Sequence, residues 1–276
     1  MLSGLFICLA STILIEGQPG KANLVLRDSR APGAVWNLRI PETVHEDAGF
    51  VALSTPPSGI EWRRFGPQIG YELDVPRATP DLSYMARQKP PRTPPLPGSY
   101  RIAVRCEAEA ESVRFAVRLT NTSGRDWRSA FVHLCLSHRD APGFARSGAV
   151  WLKTALGLSA GTEWKRSPGQ YAAFALLLFG DLETHDPFYT DYIRAEGNAR
   201  ARGRYVFGCD NARPMCAGIA AARPLFFMNN QANPCTDVAV AFGDLAPGET
   251  GEGSGRVYFV PGGPEEFVRH VERDYP

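Results

Sequence analysis

Residues 112–138, SVRFAVRLTNTSGRDWRSAFVHLCLSH, hold the clearest pattern in the chain, and their reading decides the fold class. Val113, Phe115, Val117 and Leu119 alternate with Arg114, Ala116, Arg118 and Thr120, the period of a strand with one buried and one open face. Asn121–Asp126 (NTSGRD) consists of residues that supply turn geometry or bond their own backbone, so the chain is expected to reverse there. A second strand follows from about Trp127 to Ser137, with Ala130, Val132, Leu134 and Leu136 on one face and Phe131, His133, Cys135 and Ser137 on the other. Taken as a hairpin of antiparallel neighbours, the pair puts Arg114, Arg118, His133 and Cys135 on one shared surface.

The same grammar extends outward. Residues 23–75 read as short strands (NLVLRD, AVWNLRI, FVALST, GIEWRRF, IGYELDV) broken by Pro and Gly, and the last quarter repeats the pattern in YVFGCD, AGIAAARPLFFMNN, TDVAVAFGDL and GRVYFVPG. Between them, residues 76–98 carry QKPPRTPPLPG, an extended polyproline-type stretch that serves as a linker or as a loop laid across a sheet. The apolar run Tyr171–Phe179 suits a buried strand or a short core helix, and its length favours the strand. Arg139–Ser147 reads as an irregular loop. In GGPEEFVRHVERDY, Pro264 at a first-turn position, Glu265 and Glu266 behind it and the stripe Phe267, Val268 and Val271 specify a terminal helix whose apolar side should dock on a sheet. The expected fold is therefore all-β: a mostly antiparallel sandwich with a short C-terminal helix, its main domain over residues 99–276 and residues 23–75 as part of the same sandwich.

The chain of 276 residues has a formal charge of +1 and no dense basic run, so neither nucleic acid nor an anionic membrane is implied as a partner. Its bias of Arg over Lys points to a GC-rich, bacterial genome. Within residues 1–22 the apolar run Leu5–Ile15 is too short to span a bilayer and has the length of a secretory signal core, although no Lys or Arg precedes it. A leader, and with it a periplasmic or secreted protein, is one reading; a buried first strand or a mis-called start, in a cytoplasmic protein, is the other. Of the six cysteines, Cys8 lies in this run, leaving an odd number in Cys106, Cys135, Cys209, Cys216 and Cys235. Their spacings contain no paired Cys/His set of the finger type, so no metal or other cofactor is expected from them. Buried thiols, or one or two disulfides after export, account for them.

The chemistry-bearing candidates fall in three places. The first is the surface of Arg114, Arg118 and His133, where guanidinium forks and an imidazole suit hydroxyl-rich or acidic ligands if that face is concave. The second is the excursion LETHDPFYTDY, in which His185 and Asp186 sit beside Tyr189 and Tyr192, rings to stack on a sugar and polar groups to bond it or move protons. The third is the amide-rich MNNQANPCTD, where Asn230 and Asp237 stand out, though such residues also build sharp loops. Asn121–Ser123 also fits the N-glycosylation pattern, on a turn that should be exposed.

The wording RFAVRLTNTSGRDWRSAFVHLCLS followed by DAPGF resembles the ligand-facing hairpin of galactose-mutarotase-like sandwich proteins, and GRVYFVPGGPEEFVRH resembles exported bacterial sandwich proteins. The resemblance implies a supersandwich that binds sugars on a concave sheet, with His as acid or base in its enzymes. The acidic partner of a mutarotase-type site has no assigned residue in this sequence. The leading expectation is an exported carbohydrate-binding sandwich. A lyase or epimerase on uronate-type sugars, using His133 or His185, is the second, and a structural domain without ligand the third.

Overall fold

A computed structural model describes residues 13–47, 49–52, 59–76, 99–147, 150–154, 157–160, 173–177, 201–210, 212–230 and 234–276. The strand pattern of the sequence is realised as two antiparallel sheets packed face to face. The first sheet contains β1 (Ile13–Gly17), β2 (Asn23–Asp28), β3 (Trp36–Glu46), β4 (Gly49–Ala52), β9 (Trp127–Ser137), β12 (Ala173–Leu177), β15 (Pro224–Asn230) and β16 (Cys235–Leu245). Its order is β1-β2-β3-β9-β16-β15-β12, with β4 also on β3. The second contains β5 (Arg63–Phe65), β6 (Gln68–Val75), β7 (Tyr100–Ala108), β8 (Ser112–Asn121), β10 (Val150–Thr154), β11 (Gly157–Ala160), β13 (Tyr205–Asp210), β14 (Met215–Ala221) and β17 (Thr250–Pro261). Here the order is β11-β10-β13-β14-β17-β8-β7-β6-β5.

One expectation is overturned at the centre. β8 and β9 do not pair: β8 lies between β17 and β7 in the second sheet, and β9 between β3 and β16 in the first. The segment between them is an arch from sheet to sheet, held by Asn121. Its amide donates to the carbonyls of Arg125 (2.8 Å) and Leu245 (2.9 Å), and its oxygen accepts from the backbone N–H and the hydroxyl of Ser123. Asn121 is fully buried, so this side chain is closed to a glycosylating enzyme, contrary to the exposure expected of the turn.

The inward faces are as the alternation predicts. Val113, Phe115, Val117 and Leu119 of β8 meet the core that also holds Ala130, Val132, Leu134 and Leu136 of β9. Ile13–Gly17, inside the span considered as a leader, pairs along its length with β2, and Ile13 is part of the core. Part of the Tyr171–Phe179 run is β12, the edge strand on β15. Within the expected loop at residues 139–147, Pro142–Ser147 forms a short helix, α1, and Phe144 there reaches the core.

The C-terminal helix α2 (Pro264–Val271) starts at Pro264 with Glu265 and Glu266 in its first turn. It docks Phe267 and Val271 on the outward face of the second sheet, against Tyr205, Phe207, Tyr258 and Val260. Phe267 stacks on Phe207 with ring centroids 4.1 Å apart. Gly218 permits this layer, because a Cβ there would lie 2.3 Å from that of Phe207. A disulfide joins the cross-strand partners Cys209 and Cys216 beneath the helix. Among the described residues no helix is long and apolar enough to cross a membrane.

His138, at the end of β9, bonds Thr236 Oγ1 through Nε2 (3.1 Å) and stacks on Phe144. Burial pushes its pKa from 6.5 down to about 4. The unfolded chain takes up this proton near 6.5 and the folded chain only near 4, so the stability of the neutral form is whole above 6.5 and is lost as pH falls between those values. The loss is on the order of 3 kcal/mol. His138→Gln, which keeps a hydrogen-bonding group for Thr236 but does not titrate, is expected to flatten the acid limb of urea midpoints plotted against pH. An unchanged limb would assign the loss to other groups.

Candidate functional site

The face of the first sheet that turns away from the sandwich core is polar along its central strands. Parity and register put Arg39, Thr43 and His45 of β3 beside Cys135, His133 and Phe131 of β9. Cys135 and His133 in turn lie beside Asp237 and Ala239 of β16. Between Arg39 and Thr43, β3 carries two more residues than its partner, which leaves both side chains on this same face. The irregularity also lets Arg39 reach Glu42 at 2.5 Å.

Most of this face is sealed. His45, Phe131, His133, Cys135, Cys235 and Asp237 are all buried, while the side chains of Arg39 and Glu42 are 34% and 22% exposed. Access from solvent is thus at the Arg39 end. Behind it, His45 stacks flat on Phe131 at 4.3 Å and shares a 2.7 Å hydrogen bond with the Thr43 hydroxyl. His133 Nε2 lies 3.8 Å from Asp237 Oδ2, which also accepts from the Cys235 thiol at 3.1 Å.

Burial governs the electrostatics. It pushes His133 down to about 3, with His45 and Arg39 adding to the effect. It pushes Asp237 up to about 8, with Glu42 adding. The two therefore meet as neutral imidazole and carboxylic acid at neutral pH, not as an ion pair. Burial opposes the charge on Arg39, yet Glu42 outweighs it and keeps the guanidinium above its ordinary range. The hydrogen bond to Cys235, followed by burial, raises the Cys135 thiol. For Cys235, the bond to Cys135 acts downward, but burial and Asp237 overcome it and leave the thiol at about 12.

Of the residues singled out in the sequence, the structure brings together His133 and Asp237. The backbone places Asn230 on β15 opposite Cys235, next to them. Arg114 and Arg118 are not part of this face. They lie on the outward side of the second sheet, exposed, with Arg114 paired to Glu107 (2.6 Å) and Glu109 (3.3 Å) and Arg118 to Glu252 (2.9 Å). The shared surface of arginines with His133 fails because β8 and β9 belong to different sheets. His185, Asp186, Tyr189 and Tyr192 lie outside the described residues. Sequence reading passed over Arg39, Glu42, Thr43 and His45, whose place on the face depends on the pairing of β3 with β9.

No protein-family model and no curated protein sequence matches the chain. Solved structures do. An α-mannosidase from Enterococcus faecalis matches with a TM-score of 0.50 at 10% identity, over 94% of this chain and 29% of its own. A galactose mutarotase-like protein from Clostridium acetobutylicum matches with a TM-score of 0.45 at 10% identity, over 90% of this chain and 95% of its own. A putative aldose 1-epimerase from Escherichia coli K12 matches with a TM-score of 0.41 at 8% identity, over 90% and 99%. The chain thus bears a weak resemblance to galactose mutarotase-like proteins. At these identities what is shared is the sandwich fold.

Proposed function

We propose that this protein binds carbohydrate on the outward face of the first sheet, entered at Arg39. The observation that supports this best is the Arg39–Glu42 pair at the half-open end of an otherwise buried polar face. Paired in this way, the two side chains offer fixed donors and acceptors with little net charge, which suits neutral sugar hydroxyls better than a uronate. Thr43 adds a hydroxyl alongside. The names of the matching structures, a mannosidase and mutarotase-like proteins, agree in substrate class. The Cys209–Cys216 disulfide supports an extracytoplasmic setting.

A second reading, a sugar-active enzyme, draws on the 3.8 Å approach of His133 to Asp237, a juxtaposition suited to passing a proton. Against it, both side chains are sealed from solvent, so a sugar bound to this form touches Arg39, Glu42 and Thr43 first.

A glycan array followed by calorimetry tests the binding. A neutral oligosaccharide should bind, Arg39→Ala should weaken it by about tenfold or more, and Arg118→Ala should leave it unchanged. Absence of any binder, or equal losses from the two variants, would remove the proposal.

A further inference from the structure

Cys135 and Cys235 come from distant parts of the chain and share no motif, yet the pairing of β9 with β16 makes them diagonal neighbours. Cys135 lies opposite Asp237, and Cys235 opposite Ser137. The sulfurs of both cysteines and a carboxylate oxygen of Asp237 all lie within 4.8 Å of one another, and all three residues are buried. His133 Nε2 is 3.8 Å from Asp237 Oδ2. A further observation points to something missing from the polar bookkeeping of this cluster: Asp237 Oδ1 is buried and has no hydrogen-bond partner among the described residues. A buried carboxyl oxygen without a partner is costly, and a bound cation is one of the few things that would meet it.

We propose that Cys135, Cys235, Asp237 and His133 form a closed site for a divalent transition-metal ion of the zinc type. In a tetrahedral sphere with metal–sulfur bonds of about 2.3 Å and metal–oxygen or metal–nitrogen bonds of about 2.0 Å, neighbouring donors stand roughly 3.3–3.8 Å apart. The donors of Cys135, Cys235 and Asp237 need only small side-chain shifts to reach that range, while His133, which stands 3.8 Å from Asp237 Oδ2 but outside the mutual 4.8 Å of the other three, must turn further toward the sulfurs. Two thiolates select a soft or borderline ion over calcium or magnesium. The divalent ion offsets two of the three negative charges of two thiolates and one carboxylate, and the Arg39 guanidinium, which interacts with both cysteines but is paired with Glu42, offsets part of the third. On binding, each thiol and the Asp237 carboxylic acid give their protons to solvent as the bonds to the metal form, and no electron changes hands. Sealing from water fits a structural ion that ties the two central strands of the first sheet together.

This proposal does not rest on sugar binding, and the two are measured separately. It does bear on the enzyme reading, because a metal-bound His133 has no Nε2 lone pair left for a proton.

The test uses the full chain, reduced and stripped of metal by a chelator, with Co2+ and then Zn2+ as probes. Expected are a thiolate-to-cobalt charge-transfer absorption and strong tetrahedral d–d bands, saturating at about one ion per chain, both bleached by Zn2+. Cys135→Ala and Cys235→Ala should each abolish this spectrum, while Cys106→Ala, whose thiol is in the inter-sheet core on β7, should keep it. Should the stripped chain fail to stay folded, metal analysis of the chain as purified replaces the titration, with zinc present in the parent and in Cys106→Ala and absent from the other two. A folded, reduced parent without the charge-transfer band would overturn the proposal. So would a band that survives both cysteine variants, or a Cys135–Cys235 disulfide in metal-free protein as purified.

Discussion

Arg30→Ala is expected to cost about 3–5 kcal/mol of folding free energy, because it strands a carboxylate that the fold has taken out of water. The Asp28 side chain, at the end of β2, is 0% exposed. Its charge is held by the Arg30 fork, with Nε 3.0 and 3.1 Å from the two oxygens and Nη2 2.6 Å from Oδ2. The same guanidinium donates to the Phe259 carbonyl of β17 (2.8 Å) and to Glu111 at the β7–β8 turn (3.1 Å), so it joins the first sheet to the second. An exposed pair would be worth under about 1 kcal/mol, but burial of one partner removes the water that would otherwise replace the arginine. Arg30→Lys should recover only part of the loss, since an ammonium cannot make the forked contact. Adding Asp28→Asn to Arg30→Ala should recover more, because it removes the stranded charge itself. Urea unfolding of the four chains decides the matter, and a loss below about 1 kcal/mol for Arg30→Ala would show that Asp28 finds solvent.

How far the sequence could be read is clearest at residues 112–138. Alternation identified Val113, Phe115, Val117 and Leu119 of β8 and Ala130, Val132, Leu134 and Leu136 of β9 as inward, because side-chain period depends only on the strand being half buried in a common core. Partnership was another matter. A hairpin and an arch between facing sheets bury the same alternate residues, so periodicity does not separate them. One local sign pointed to the arch: Phe131 and Cys135 on the supposedly open face of β9 suit burial on both sides.

The candidate site was legible in part for the same reason. His133 and Asp237 attract notice as polar groups in or beside strands. Arg39, Glu42 and His45 did not, since only the long-range pairing of β3 with β9 brings them there. Cys135 and Cys235 lack the close spacing by which metal sites are recognised in a sequence, and sheet register alone brings their sulfurs together. Asn121 shows the converse: its triplet is readable locally, but the carbonyls of Arg125 and Leu245 that bury and bind it are not.

Trp36→Ala and Trp36→Phe are expected to differ sharply, and the difference isolates one buried N–H. Trp36 is wholly buried where β3, β17 and α1 meet, its ring edge-on to Phe144 (5.2 Å) and Phe259 (4.8 Å). Truncation to Ala removes this packing and leaves a cavity that two rigid sheets cannot close, a loss of about 3–5 kcal/mol. At roughly 2–4 °C per kcal/mol for a chain of this size, Tm should fall by about 10 °C. Phenylalanine keeps an aromatic face toward both neighbours. It also deletes Nε1, which is buried and has no hydrogen-bond partner among the described residues, and such a donor costs about 1–3 kcal/mol to bury. That gain offsets most of the lost ring volume, so Trp36→Phe should stay within about 1.5 kcal/mol of the parent. If calorimetry finds Phe nearly as damaging as Ala, the indole N–H is bonded in solution, and an ordered water must then lie between the sheets at this junction.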